Sequence, residues 1–266
     1  MKKGTSILNN YTDELKELYL NSDLPLEKIG EIYNVSRETV TNFAKRQGWY
    51  GLRQDAPRAT YQLNQEYFDV IDSEDKAYWL GFIAADGNIR KDFLRLSIEL
   101  ARCDKNHLVK FRDSLNSNAP IKDMDRENPS SYIRINNKHL CLALANYGIV
   151  PNKSLTFTIK LDLIPQIYLK DFIRGYFDGD GSIYQDRRGS WGINFTGSHS
   201  FMAQLEELLP FEIYTNDRGN YSSLETQSKT KIKIFLDFIY SNATIYLDRK
   251  YLKSQEFYKP STTTKG

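Results

Sequence analysis

The sequence predicts an α+β protein in which an αββαββα unit occurs twice, behind a small all-α N-terminal domain. Three observations carry this reading. An apolar stretch that stops at Asp-Gly appears at Ala77–Gly87 and again at Asp171–Gly181, its Asp residues 94 positions apart (Asp86 to Asp180). Strand-like and helix-like patterns follow each copy in the same order. The first sixty residues hold three short helical patterns instead. The chain of 266 residues divides accordingly into 1–50, a linker at 51–70, copies at 71–160 and 161–258, and a tail at 259–266.

In the first segment Thr12 is placed to cap a helix from Asp13 to about Asn21, with Leu15, Leu18 and Tyr19 on one face. Pro25 opens a second helix over Leu26–Tyr33, whose inner side is Leu26, Ile29 and Tyr33. Asn34-Val35 makes a turn, Ser36 caps a third helix, and Val40 and Phe43 supply its buried side. The run Leu26-x-x-Ile29-Gly30-x-x-Tyr33-Asn34-Val35-Ser36-x-x-Thr39-Val40 resembles the resolvase and sigma-factor type of helix-turn-helix. On that resemblance Arg37, Thr39, Thr41, Asn42 and Lys45 are DNA-binding candidates, with Glu38 on the same surface. A three-helix packing module without a DNA role fits the same pattern. Gly48 ends the third helix, and Leu52 to Ala59, with Arg53, Pro57 and Arg58, reads as a basic linker.

The first copy begins with Ser73 as cap for the apolar helix through Asp86. Leu94–Glu99 alternates as a half-buried strand, and Leu108, Phe111 and Leu115 mark an amphipathic helix. A second strand pair is centred on Tyr132–Ile135, and a closing helix covers Leu140–Tyr147. In the second copy the matching pieces are Gly192–Thr196, the helix of Phe201, Leu205 and Leu208, the strand of Tyr221–Thr226, and Ile232–Tyr240.

Gly81 and Ala85 share one helix face, as do Gly175 and Gly179, and small residues at that spacing let two helix backbones approach side by side. Each helix then ends in Asp followed by Gly, for which a left-handed closing conformation is expected. A carboxylate there faces the negative end of the helix dipole, and two such ends together call for a cation. Oxygen donors without a Cys/His cluster suit a hard ion such as Mg²⁺, which can clamp the oxygens of a phosphodiester.

Trp79-Leu80-Gly81-Phe82-Ile83-Ala84-Ala85-Asp86-Gly87 and Ile173-Arg174-Gly175-Tyr176-Phe177-Asp178-Gly179-Asp180-Gly181 resemble the LAGLIDADG motif of homing endonucleases, in two copies as in the single-chain, pseudo-dimeric members. The first copy departs from it at Ala84, where the motif has its earlier Asp, and the second at Arg174, expected to face solvent. The resemblance covers residues 71–258. It implies two saddle-shaped antiparallel sheets on double-stranded DNA, with catalytic cations at Asp86 and Asp180, and Ala85 and Gly179 beside them as further metal ligands. The implied cofactor is Mg²⁺, with Mn²⁺ or Ca²⁺ able to replace it for binding. A late basic residue in each half matches Lys153 and Lys250, which stand 67 and 70 positions beyond the motif Asp. Either polarises water or stabilises phosphate charge, or is a solvated lysine in plain phosphate contact. Strand alternation nominates Arg95, Ser97, Glu99, Asn194 and Thr196 as groove-facing, with Arg134, Arg187 and Arg188.

The bulk properties agree with this. Hydrophobic residues are 40% of the chain and its net charge is +2; a nucleic-acid binder needs local basic surface and not a large total, which an acidic site lowers anyway. No run of about 18 apolar residues spans a membrane. The polar start Met1–Ser6 predicts a cytoplasmic protein, in which Cys103 and Cys141 are two buried thiols. His107, His139 and His199 lack ligand spacing and read as structural or surface residues. The expected activity is site-specific double-strand cleavage by a monomer, in support of intron or free-standing homing. The rivals are a DNA-binding regulator on the same scaffold and an RNA-binding intron maturase.

Overall fold

The computed structural model describes residues 7–22, 24–50 and 61–259. Met1–Ser6, the linker basic residues Arg53 and Arg58 with Pro57, and the tail from 260 lie outside them. The chain forms two compact units, Met1–Thr60 and Tyr61–Gly266.

In the first unit, α1 (Thr12–Asn21), α2 (Leu26–Ile32) and α3 (Arg37–Arg46) surround a core of Leu15, Tyr19, Ile29, Val40, Phe43 and Trp49. Thr12 is the first residue of α1 and not its cap; its hydroxyl donates to the Asn9 carbonyl at 3.0 Å. Ser36 does cap α3, accepting from the Thr39 amide at 3.2 Å. The α2–α3 turn is tight because Gly30 has no Cβ: one would sit 2.5 Å from the Val35 carbonyl oxygen.

The second unit runs α4 (Glu74–Asp86), β1 (Gly87–Ile89), β2 (Leu96–Ala101), α5 (Lys105–Ser114), β3 (Ile121–Met124), β4 (Ser130–Ile135) and α6 (Lys138–Asn146). It then repeats with α7 (Leu169–Asp180), β5 (Ser182–Gln185), β6 (Trp191–Gly197), α8 (His199–Leu208), β7 (Thr215–Asp217), β8 (Ser222–Thr226) and α9 (Lys229–Tyr240). A further helix, α10 (Asp248–Phe257), follows the second copy. The expected αββαββα order is present twice, as two four-stranded antiparallel sheets ordered β1-β2-β4-β3 and β5-β6-β8-β7. Period-two burial builds both: Leu96, Ile98 and Leu100 point inward between Ser97 and Glu99, and Ile193 and Phe195 flank the outward Asn194. Fixed register pairs Ile98 with Ile133 and Phe195 with Leu224, so each sheet turns one apolar face to its helices.

Residues 61–70, assigned to the linker by sequence, pack on this core: Phe68 is fully buried and Tyr67 nearly so. Arg174 corrects a second expectation. It does not face solvent but is fully buried, ion-paired at 2.7 Å with both Asp171 and Glu74. A lone buried charge would be prohibitive, but these two acids and two carbonyls satisfy the guanidinium. The cysteines also differ from expectation, Cys141 being buried and Cys103 exposed.

Candidate metal centre and nucleic-acid interface

The helices α4 and α7 lie against each other along their small residues. A Cβ on Gly81 would meet the Phe172 carbonyl oxygen at 2.0 Å, and one on Gly175 the Tyr78 oxygen at 1.9 Å. Near their C-termini a Cβ on Gly179 would fall 2.3 Å from that of Ala85 and 3.4 Å from Asp86 Oδ2. Backbone contact along the helices therefore brings the two Asp-Gly ends together. Gly87 and Gly181 are not left-handed as expected; their φ values are −77° and −75°. Each chain leaves its helix directly into β1 or β5. There a Cβ would strike Ile83 (2.5 Å) or Phe177 (2.2 Å), so glycine is required by space.

Both candidate lysines are buried and act as helix caps. Lys153 Nζ donates to the carbonyls of Ala85 (3.3 Å) and Gly87 (2.9 Å). Lys250 Nζ donates to Phe177 (2.6 Å), to Gly179 (3.0 Å) and to Gly181. Ala85 and Gly179 lie in the last turn of their helices, at the negative end of the dipole, where carbonyls lack a partner within the helix. Gly87 and Gly181 follow the helix ends, and Phe177 also accepts from the Gly181 amide. Part of the cation requirement read from the sequence is thus met by the protein itself. Burial pushes the Lys250 ammonium down to about 8, against the pull first of Asp178 and then of Asp86 and Asp180. Burial lowers Lys153 as well, against Asp180 and Asp86.

The carboxylates respond in the opposite sense. Burial first, and then the charge of Asp180, push Asp86 up to about 6, opposed by Lys250 and Lys153. Asp180 is raised by desolvation, opposed by Lys153, Lys250 and the Tyr176 hydroxyl. A pocket of about 240 Å³, lined by Asp86, Asn88, Asn152 and Lys153 among others, opens beside the first carboxylate. Among the described residues no three His, Cys, Asp or Glu cluster, so the donor set is two carboxylates and nearby carbonyls. That set fits a hard divalent ion, because two anions held together gain from a shared cation. The Ala85 and Gly179 carbonyls, nominated as ligands, accept from the lysines and keep a second lone pair.

The outward sheet faces hold most of the other candidates. In the first sheet, Asn88, Ser97 and Arg134 form one cross-strand row, and Glu99, Tyr132 and Lys122 the next. Arg134 is exposed, its guanidinium over the Tyr132 ring at 4.4 Å. Arg95, just before β2, donates to Asn136 at 2.8 Å. Glu99 is occupied by Arg126 and by Ser130 at 2.7 Å. In the second sheet the matching row is Ser182, Asn194 and Glu225, with Thr196, Ser223 and Asn216 beside it. Arg187 and Arg188 are exposed at the β5–β6 turn. Sequence reading missed Asn88, Ser182, Lys122 and Arg218. The first two each lie two residues beyond a motif Asp, a match the duplication offered. Lys122 needs the strand register, and Arg218, in the β7–β8 turn, is placed by its bonds to Ser223 and Glu225. In the first unit Arg37, Asn42 and Lys45 are exposed, while Thr39 and Thr41 are half-buried. Arg37 pairs with Glu27 at 3.0 Å, Thr39 joins the Ser36 cap, Thr41 donates to the Arg37 carbonyl, and Lys45 lies over the Tyr50 ring. His107 is buried, and His139 and His199 bond to Asp69 and Ser222, as structural residues do.

The family model described as a LAGLIDADG-like domain matches residues 168–239, from the start of α7 almost to the end of α9. The second copy is a LAGLIDADG-like domain. Asp178, Asp180 and Lys229 all fall within that LAGLIDADG-like segment, and Lys250 lies beyond it. A curated relative, DNA-directed RNA polymerase subunit Rpo1C of Methanocaldococcus jannaschii, is 27% identical over 170 residues, or 63% of this chain. The chain spans 18% of the length of that subunit. Among solved structures, meganuclease I-SmaMI bound to uncleaveable DNA is similar at 14% identity, covering 68% of this chain and 88% of that one, with a TM-score of 0.49. LAGLIDADG meganuclease I-AabMI bound to uncleaved DNA is similar at 15% identity over 68% and 87% of the two chains, with a TM-score of 0.48. Full-length DUF199/WhiA from Thermatoga maritima is similar at 14% identity over 73% and 65%, with a TM-score of 0.46. No helix among the described residues is long and apolar enough to cross a membrane.

Proposed function

We propose that this chain is a site-specific double-strand DNA endonuclease of the homing type, working as a monomer. The observation that supports it is the pair Asp86 and Asp180 at abutting helix ends, each beside a buried lysine. A protein that only binds DNA gains nothing from two carboxylates raised by burial and set beside phosphates. Bound Mg²⁺, held by Asp86 and Asp180 with Ala85 and Gly179 carbonyls nearby, would supply Lewis-acid activation of water and of the leaving oxygen. Asp86 carries its ligand charge above about pH 6. Lys153 and Lys250 fix the two helix ends and add positive charge where phosphate oxygens accumulate negative charge. The outward rows of the two sheets read the duplex, and α3 with Arg37, Asn42 and Lys45 extends the contact on one side.

The test is to incubate the full chain with a pool of randomised DNA duplexes in Mg²⁺ and sequence the new ends. One long recurrent site, cut on both strands and lost with a chelator, is expected. Tight duplex binding with no cut in Mg²⁺ or Mn²⁺ would overturn the reading in favour of a regulator, and preference for structured RNA in favour of a maturase.

A further inference from the structure

The two copies differ sharply on the helix face next to the segment that precedes α10. Aligned on the Asp-Gly end, Asp171, Arg174 and Asp178 of α7 stand where α4 has Ala77, Leu80 and Ala84. All three charged residues are buried, which is tolerable only with full partnering. Their partners concentrate on residues 239–247. Arg174 donates to the carbonyls of Ile239 and Ile245, each at 2.9 Å. Its ion-pair partner Glu74 accepts from the Thr244 amide at 2.8 Å. Asp178 accepts from the Tyr240 hydroxyl (2.8 Å), the Leu247 amide (2.7 Å) and the Tyr78 hydroxyl of α4 (2.8 Å). Leu247 is the residue from which α10 starts, and its carbonyl takes the amides of Lys250 and Tyr251, both at 3.0 Å. The end of α9 and the chain from it to α10 are tied to the paired helices at Ile239, Thr244, Ile245 and Leu247, and Lys250 sits three residues further on.

We infer that Asp178 and Arg174 are positioning residues that hold Lys250 on the end of α7, so that the two centres are separately controlled. Ala77, Leu80 and Ala84 carry no polar side chain to do the same for Lys153, which stands on the short turn Lys153–Leu155 after Asn152 at φ 58°. The consequence for strand cleavage rests on the nuclease reading; the positioning itself does not.

Lys153 and Lys250 are both buried in the folded protein, so each serves as the other's control. The full chain is treated with an amine-acetylating reagent and the rate at each lysine is followed by mass spectrometry. In Asp178→Ala, which borrows the first copy's residue, Lys250 acetylation rises roughly tenfold through local opening while Lys153 is unchanged. Asp178→Asn, which keeps the shape and an acceptor, restores protection to within about threefold. On a plasmid bearing the selected site, Asp178→Ala slows one strand roughly tenfold and nicked circles accumulate. If Asp178→Ala does not fold, Glu74→Ala, which frees the Thr244 amide from a part-exposed acid, reads the same contrast between lysines. Equal acetylation increases at both lysines, or none at Lys250, overturn the proposal. A wild-type chain that cuts no DNA defeats the nuclease reading alone, because the lysine contrast still decides the positioning.

Discussion

The Asp86 carboxylate lies in an environment that prefers it protonated, since its value of about 6 exceeds the usual carboxylate range. An acid with a raised folded value adds most stability at low pH, and that contribution is lost as pH climbs from about 4 through about 6. At pH 7, then, the charge is a local liability in the absence of metal. Asp86→Asn should raise the melting temperature of chelator-treated protein by roughly 2–4 °C, the shift expected for about 1 kcal/mol in a protein of this size. Mg²⁺ should stabilise the parent chain and not the variant, which also loses cleavage while keeping DNA binding. A variant that melts lower than its parent without metal would remove the carboxylate pair from the account. His107 gives a second residue-scale expectation. Burial, aided by Lys110, holds its imidazole down to about 3. The Tyr78 hydroxyl donates to Asp178, so His107 Nε2–H donates to Tyr78 and the ring is neutral. Below about 6.5 the unfolded chain takes up a proton that the folded chain refuses, so this contribution to stability falls as pH falls. The stability gap between the parent and His107→Phe should narrow by about 2 kcal/mol from pH 7 to pH 5 in urea titrations. A gap independent of pH would show that the ring titrates normally.

The pair α4–α7 is the element on which the rest depends. A methyl group at residue 175 would have to share space with a carbonyl oxygen 1.9 Å away, and neither helix can move without shifting its sheet. Gly175→Ala should cost about 3 kcal/mol, a figure that already includes the roughly 1 kcal/mol of helix propensity gained. A stability equal to the parent, with cleavage intact, would show that the helices are free to part. The sequence displayed this element plainly, because doubled small residues and doubled Asp-Gly ends are local patterns. The Ser73 and Ser36 caps and the alternating strands were legible for the same reason. Arg174 was not: its four partners come from Glu74, Asp171 and the segment near α10, and a single helix pattern shows none of them. The lysine caps were equally hidden, since the residue spacing that placed Lys153 and Lys250 near the Asp-Gly ends says nothing about which atoms they bind. Glycine at 87 and 181 was read as a conformational need when neighbouring side chains impose a spatial one.

At the scale of the whole molecule, the two units have separate cores, one built on Phe43 and Trp49 and the other on residues from Tyr67 to Ile245. A fragment beginning at Tyr61 should therefore fold cooperatively with unchanged near-ultraviolet circular dichroism per aromatic residue of that unit. On the nuclease reading it should cut only at higher protein concentration, with a footprint shortened on one side, because tethering raises the local concentration of the first unit. An unchanged footprint and affinity would leave the three-helix unit without a DNA role. The two sheets have one more consequence. Counted from its own Asp-Gly end, the row Asn88, Ser97, Arg134 in one sheet corresponds to Ser182, Asn194, Glu225 in the other, so a cation in one place answers to an anion in the other. A dimer of identical subunits could never carry such a mismatch, because every substitution would be copied across its axis. Here one gene encodes two surfaces that drift independently. On the nuclease reading the recognised duplex need have no dyad, and a change at Arg134 should rewrite one arm of the site while the other arm is still read as before.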